Sequence, residues 1–213
     1  MTKHAGKTAD KTLDKTYDRA YFDKWYRNRA TRVHQPGEVR RRAALAIAQT
    51  EYFLRRPIRN VLDVGCGEAP WRSYLRELRP RVVYQGVDRS EYVVERYGTE
   101  RNIRLAAFGE LPSLKLPQFD LVICADVMHY VPDSEIRIGL TEIARLCEGI
   151  AYLEVLTAED EIIGDLEGLI QRPAAFYRKS LSKLGMRQVG PYTWLGEGLS
   201  DAIAELEKPH PNG

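Results

Sequence analysis

Between Ile58 and Leu156 the chain switches repeatedly between two hydrophobic periods, and this restricts the fold more than any other feature. Short runs rich in β-branched and aromatic residues, "IRNVLDVG", "RVVYQGVD", "NIRLAAF", "FDLVICAD" and "GIAYLEVL", alternate with "APWRSYLRELR", "EYVVERY" and "DSEIRIGLTEIARLCEG", whose apolar residues recur at helical spacing. Strands that read as continuous apolar runs are buried on both faces, and parallel strands are joined right-handedly through covering helices. The expected fold is α/β, with a doubly wound, mostly parallel sheet and helices on both faces. After Leu156, "RPAAFYRKSLSKLG" reads as a helix with Phe176 and Tyr177 in the core and Arg172 and Lys179 solvated. "MRQVGPYTWLG" reads as an edge segment and "LSDAIAELEK" as a last helix. The 213 residues, 44% hydrophobic, suit a single globular domain.

In an open sheet of this kind, ligands bind outside the carboxyl ends of the strands at the switch point, beside the first strand. "VLDVGCG" is such an end. Gly65 and Gly67 let the backbone turn tightly and approach a ligand, and the next helix offers free N–H groups. A dinucleotide site requires G-x-G-x-x-G/A, whereas "GCGEAP" puts Pro70 in the sixth position and turns Glu68 toward the phosphates. The loop therefore favours a ligand with a positive or zwitterionic part. Asp88 ends the second strand 21 residues after Gly67, where a carboxylate accepts both ribose hydroxyls. Capping the following helix is its other available role, which Ser90 can also fill. Asp63 either braces the loop N–H groups or touches the ligand.

Taken in order, these motifs resemble those of the class I S-adenosylmethionine-dependent methyltransferases over about residues 58–196. "VLDVGCGEA" is similar to that family's first motif, with Ala69 where a third glycine often stands. "AAFGELP" resembles the segment after the third strand in which an Asp often grips the adenine amine. Ala107 holds that position here, so adenine contacts are expected from backbone near Phe108 and from its ring. "FDLVICADVMHYVPD" resembles the fourth-strand motif and sets Asp126, His129 and Tyr130 beside the methionine moiety and the acceptor. The resemblance implies a seven-stranded sheet. It also implies S-adenosyl-L-methionine as cofactor, S-adenosyl-L-homocysteine as product and no metal, with Asp63, Gly65, Cys66, Gly67, Asp88, Arg89, Ala107, Phe108 and Asp126 around the cofactor. In-line methyl transfer of this type depends on positioning and exclusion of water, with a base only where the nucleophile carries a proton. His129 and Tyr130 are the catalytic candidates; an imidazole with a pKa near neutrality suits a base, and equally an anchor for the loop.

Ahead of the sheet, residues 1–16 hold too little apolar surface to order and read as a mobile tail, 17–57 as a helical lid, and 58–208 as the cofactor-binding domain. "YDRAYFDKWYRNRA" places Tyr17, Tyr21, Phe22, Trp25 and Tyr26 at helical spacings. Tyr21, Phe22, Trp25 and Tyr26 either cover the cofactor, with ring faces toward its sulfonium, or pack as core. In a second helix Val39, Ala43, Ile47, Thr50 and Leu54 face inward and Arg40, Arg41 and Arg42 outward. Residues 1–60 carry 15 Lys and Arg against 6 Asp and Glu, and the remainder 17 against 24. That asymmetry admits an anionic partner, although charge runs usually face water. No apolar run reaches the roughly 20 residues a bilayer requires, and the first residues lack a secretory pattern, so a cytoplasmic protein with no membrane partner is expected. Cys66, Cys124 and Cys147 form no CxxC pair and read as buried thiols. The favoured function is methyl transfer to a small molecule. RNA or another polyanion as acceptor, and a non-catalytic S-adenosylmethionine-binding protein, are the alternatives.

Overall fold

Each of the five runs of β-branched residues forms a strand, and the intervening periodic segments form helices. The computed structural model describes residues 15–33, 36–161 and 164–204. In chain order the elements are α1 (Arg19–Phe22), α2 (Pro36–Leu54), β1 (Asn60–Val64), α3 (Pro70–Leu78), β2 (Val83–Asp88), α4 (Glu91–Arg101), β3 (Ile103–Leu105), β4 (Phe119–Ala125), α5 (Asp133–Leu146), β5 (Cys147–Glu154), α6 (Ala174–Lys183), β6 (Arg187–Gly190) and β7 (Thr193–Leu195). A π-helical turn, Asp23–Arg27, continues α1, and 3₁₀ turns cover Phe108–Leu114, Met128–Tyr130 and Glu197–Ala202.

The sheet has seven strands in the order β3-β2-β1-β4-β5-β7-β6. Strands β1 to β5 are parallel, and β7 runs antiparallel to β5 and β6. The order reverses between β1 and β4, which opens a crevice at their carboxyl ends. This is the seven-stranded, doubly wound architecture expected of a class I methyltransferase.

Period-two alternation divides the strands between two apolar layers. Leu62, Val64, Val122, Cys124 and Leu153 pack against Ile136, Leu140 and Ile143 of α5 and Tyr177 and Leu181 of α6. On the other face Val61, Leu121, Ile123, Ile150 and Tyr152 meet Ala43 and Ile47 of α2, Leu75 of α3 and Val93 of α4. Burying each large aliphatic side chain stabilises the fold by about 1.5–3 kcal/mol. The three cysteines are buried and unpaired. Among the described residues no helix is long and apolar enough to cross a membrane.

Two arginines differ from their sequence assignment. Arg42, expected on the outer face of α2, is half-buried and reaches Glu154 at the end of β5 at 3.0 Å. Arg172, expected to be solvated, is 5% exposed. Its guanidinium donates to the carbonyls of Val131 (2.7 Å) and Met128 (3.3 Å) and to Asp133 (2.9 Å). The turn after β4 leaves several acceptors close together, which a planar fork of donors can satisfy at once. The expected last helix is a 3₁₀ turn, Glu197–Ala202, and the rest of that segment lies beyond the described residues. Of the expected tail, residues 1–14 also lie outside them, while Lys15 is described and its side chain is only 7% exposed.

Candidate active site

The β1 end is shaped by two glycines in the left-handed region, Gly65 (φ 68°) and Gly67 (φ 51°). A Cβ on Gly65 would stand 2.3 Å from Val127 Cγ2, so its bareness lets the loop after β4 close against the loop after β1. A Cβ on Gly67 would stand 3.1 Å from the Phe22 ring, so that face of the loop lies against the aromatic segment ahead of the sheet. Asp88 ties the two strand ends together, its Oδ2 accepting from Gly67 N at 2.7 Å and its Oδ1 from Ser90 N at 2.8 Å. Burial pushes the Asp88 carboxyl above its usual range, and these backbone donors oppose the shift. Ser90 caps α4 by accepting from Val93 N, which leaves Asp88 for the loop.

Tyr17, Tyr21, Phe22, Tyr26, Gly65, Gly67, Asp88, Arg89, Ala107, Phe108, Asp126, Val127, Tyr130 and Glu135 all border one cavity at the β1–β4 switch point, of about 90 Å³. Asp126 adopts φ 59° there. The Ala107 N–H is engaged by Glu110 at 2.8 Å, which leaves the Phe108 ring as the apolar surface of that corner. Phe22 is buried against Tyr21, Tyr26 and Tyr92, with ring centroids 5.4–5.9 Å away. Ser90 Oγ donates to Tyr17 O at 2.5 Å, and Arg27 is ion-paired to Glu68.

Four residues named from the sequence are not among the walls. Asp63 lies behind the loop, where it accepts from Tyr84 Oη at 2.7 Å and burial raises its carboxyl to about 7. Cys66 is buried beneath the loop beside Gly86. His129 is 1% exposed, and its Nδ1 accepts from Leu156 N at 3.3 Å. Burial lowers the imidazole to about 4, so it is neutral at physiological pH. Trp25 is half-buried and carries Lys24 over its ring at 4.4 Å, while Tyr26 takes the place beside the cavity. Sequence reading passed over Glu135, which also binds Gly109 N at 3.0 Å, and Val127. Glu135 lies in no recognisable motif, and Val127, although inside the fourth-strand motif, is an apolar residue with no chemistry to mark it.

The profile of a family described as a methyltransferase domain matches residues 34–188. The chain belongs to that methyltransferase family. Its fold is similar to that of magnesium protoporphyrin IX methyltransferase from Synechocystis PCC 6803, solved with bound S-adenosylhomocysteine (TM-score 0.63, 18% identity, covering 84% of this chain and 96% of that one). It is also similar to an S-adenosylmethionine-dependent methyltransferase from Archaeoglobus fulgidus (TM-score 0.59, 17% identity, 80% and 75%). An O-methyltransferase family protein from Burkholderia thailandensis matches at TM-score 0.50 and 15% identity over 75% of this chain, which spans 57% of that protein's length. No curated protein sequence matches.

The walls of this methyltransferase fit S-adenosylmethionine in chemistry. A buried carboxylate stands at the β2 end, an apolar ring at the β3 end, and a loop with two glycines at the β1 end. They do not yet fit it in volume. Pockets for ligands of this size run to roughly 300 Å³ or more, so the cavity that residues 17–26 help to wall is smaller here than a nucleoside needs.

Proposed function

We propose that this methyltransferase transfers the methyl group of S-adenosylmethionine to a small-molecule acceptor. The observation that carries the reading is the convergence of the Gly65–Gly67 loop, the buried Asp88 and four aromatic residues from one N-terminal segment on a single crevice. The cofactor supplies an electrophilic methyl on a sulfonium. The chain supplies position and dryness: Asp88 accepts the ribose hydroxyls, Phe108 lies against the adenine, and Tyr17, Tyr21, Phe22 and Tyr26 shut out water. Tyr130 faces the acceptor. His129 holds the turn after β4 through Leu156 N; with its Nδ1 lone pair engaged there and the proton on Nε2, it offers substrate no basic nitrogen.

A small acceptor is favoured over a polyanion because much of the basic front is engaged internally. Arg27 pairs with Glu68, Arg40 with Glu77 (2.9 Å), Arg42 with Glu154 (3.0 Å) and Arg56 with Asp120 (2.7 Å). One relative of similar fold is itself named for a small acceptor, magnesium protoporphyrin IX.

The test is calorimetric titration of the protein and of Asp88→Ala with S-adenosylhomocysteine, circular dichroism confirming that both are folded. The unaltered protein should bind, and the variant should bind at least about tenfold more weakly, since charge-assisted hydrogen bonds of this kind contribute about 1.5–3 kcal/mol. Equal affinities would remove the ribose role from Asp88. Failure of the unaltered protein to bind, or preference for a nicotinamide dinucleotide, would end the larger reading.

A further inference from the structure

At the Tyr130 side of the cavity an ammonium group is already seated. Lys15 Nζ is ion-paired to Asp165 Oδ2 and donates to Glu167 O at 2.9 Å. It lies 3.8 Å from the centre of the Tyr130 ring, and 5.2 and 5.3 Å from those of Tyr21 and Tyr17. Carboxylate, carbonyl and ring faces together form a cage for a small cation.

The cage is rigid on the protein side. Tyr130 Oη donates to Asp165 O at 2.7 Å, and Glu167 N donates to Asp165 Oδ1 at 3.1 Å. Asp165 is buried, and among the described residues its Oδ2 accepts no hydrogen bond that would replace the Lys15 ion pair. A buried carboxylate of this kind demands a cation, because an unpaired charge out of water is costly. The three rings of the cage are also walls of the cavity, on its Tyr130 side rather than at the Asp88 and Phe108 corner. The cation is a single side chain, so withdrawal of Lys15 alone empties the cage and leaves its rings and carboxylate in place.

We infer that the acceptor carries a primary ammonium group and that the Tyr17, Tyr21, Tyr130 and Asp165 cage recognises it, with Lys15 as an internal stand-in. The inference rests on the cofactor reading above and names the acceptor's class. The ammonium is a handle for binding, and the methylated atom lies elsewhere on the acceptor, because an ion-paired ammonium has no lone pair to offer the methyl carbon.

The experiment vacates the cage. Full-length Lys15→Ala is melted with and without n-butylammonium chloride or 1-butanol, and S-adenosylhomocysteine affinity is measured separately. The variant should melt lower than the unaltered protein, and n-butylammonium should restore much of the loss at millimolar concentration while 1-butanol does not. Adding Asp165→Asn should weaken n-butylammonium binding at least tenfold, and S-adenosylhomocysteine affinity should stay within threefold in every variant. If Lys15→Ala does not fold, Lys15→Gln, which keeps a donor toward Glu167 O, replaces it. Equal rescue by the alcohol, or rescue that survives Asp165→Asn, overturns the cage. A tenfold loss of S-adenosylhomocysteine affinity in Asp165→Asn assigns the cage to the cofactor's own ammonium and likewise overturns it. Failure of the unaltered protein to bind S-adenosylhomocysteine instead overturns the cofactor reading, whatever the rescue shows.

Discussion

Gly67 illustrates how a single residue's bareness serves the site. At φ 51° it occupies backbone space that a β-branched residue strongly resists, and the Phe22 ring is already near contact with the place of its missing Cβ. Gly67→Val should therefore reduce S-adenosylhomocysteine affinity by at least about tenfold, or roughly 1.4 kcal/mol, while circular dichroism remains native. A folded variant with unchanged affinity would show that the loop is not the cradle. Residues such as Gly65, Gly67 and Asp88 were legible in the sequence because their constraint comes from the backbone and from their place at a strand end. Tyr26 was less so. Helical spacing paired Tyr21 with Trp25, but the π-helical turn Asp23–Arg27 inserts an extra residue and rotates the following side chains, so Tyr26 stands beside the cavity. Arg172 and Asp165 were hidden for another reason: their partners lie 41 and 150 residues away, and no local pattern announces them.

Among the elements, α5 reaches the cavity without contributing much of its wall. Phe108 seats its ring against Gly139, where a Cβ would stand 2.1 Å from Cδ1. Placed in an ordinary exposed helix, Gly→Ala would stabilise by about 1 kcal/mol. Gly139→Ala should do the reverse, because the added methyl drives the Phe108 ring out of the core and toward the cavity. A lower melting temperature together with weaker S-adenosylhomocysteine binding is the expected pair of results. A rise in melting temperature would mean that the ring has room to shift. The strands and long helices were readable from hydrophobic period alone, since α5 and β4 are each buried along a pattern their sequences display. The short 3₁₀ and π-helical turns were not, because they are set by what they pack against.

At the scale of the whole molecule, two buried groups give stability opposite dependences on pH. His129 falls from 6.5 to about 4 on folding, so the unfolded chain takes up its proton first and stability declines as pH drops through that window. Asp63 rises from 3.8 to about 7, so the unfolded chain releases its proton first and stability declines as pH climbs through nearly the same window. Each contributes about 2–4 kcal/mol in order of magnitude. Relative to the unaltered protein, His129→Asn should gain stability as pH is lowered from 6.5 to 4.5, and Asp63→Asn should gain as it is raised from 4.5 to 7. Denaturant melts across that range check both signs, and parallel curves for all three proteins would show that neither group titrates as its burial requires. One segment, finally, lays Phe22 on the glycine loop and carries Lys15 to Asp165. If cofactor and acceptor bind as proposed, both meet this segment, and any linkage between them runs through it. That linkage is reciprocal: the factor by which bound cofactor tightens the acceptor must equal the factor by which bound acceptor tightens the cofactor.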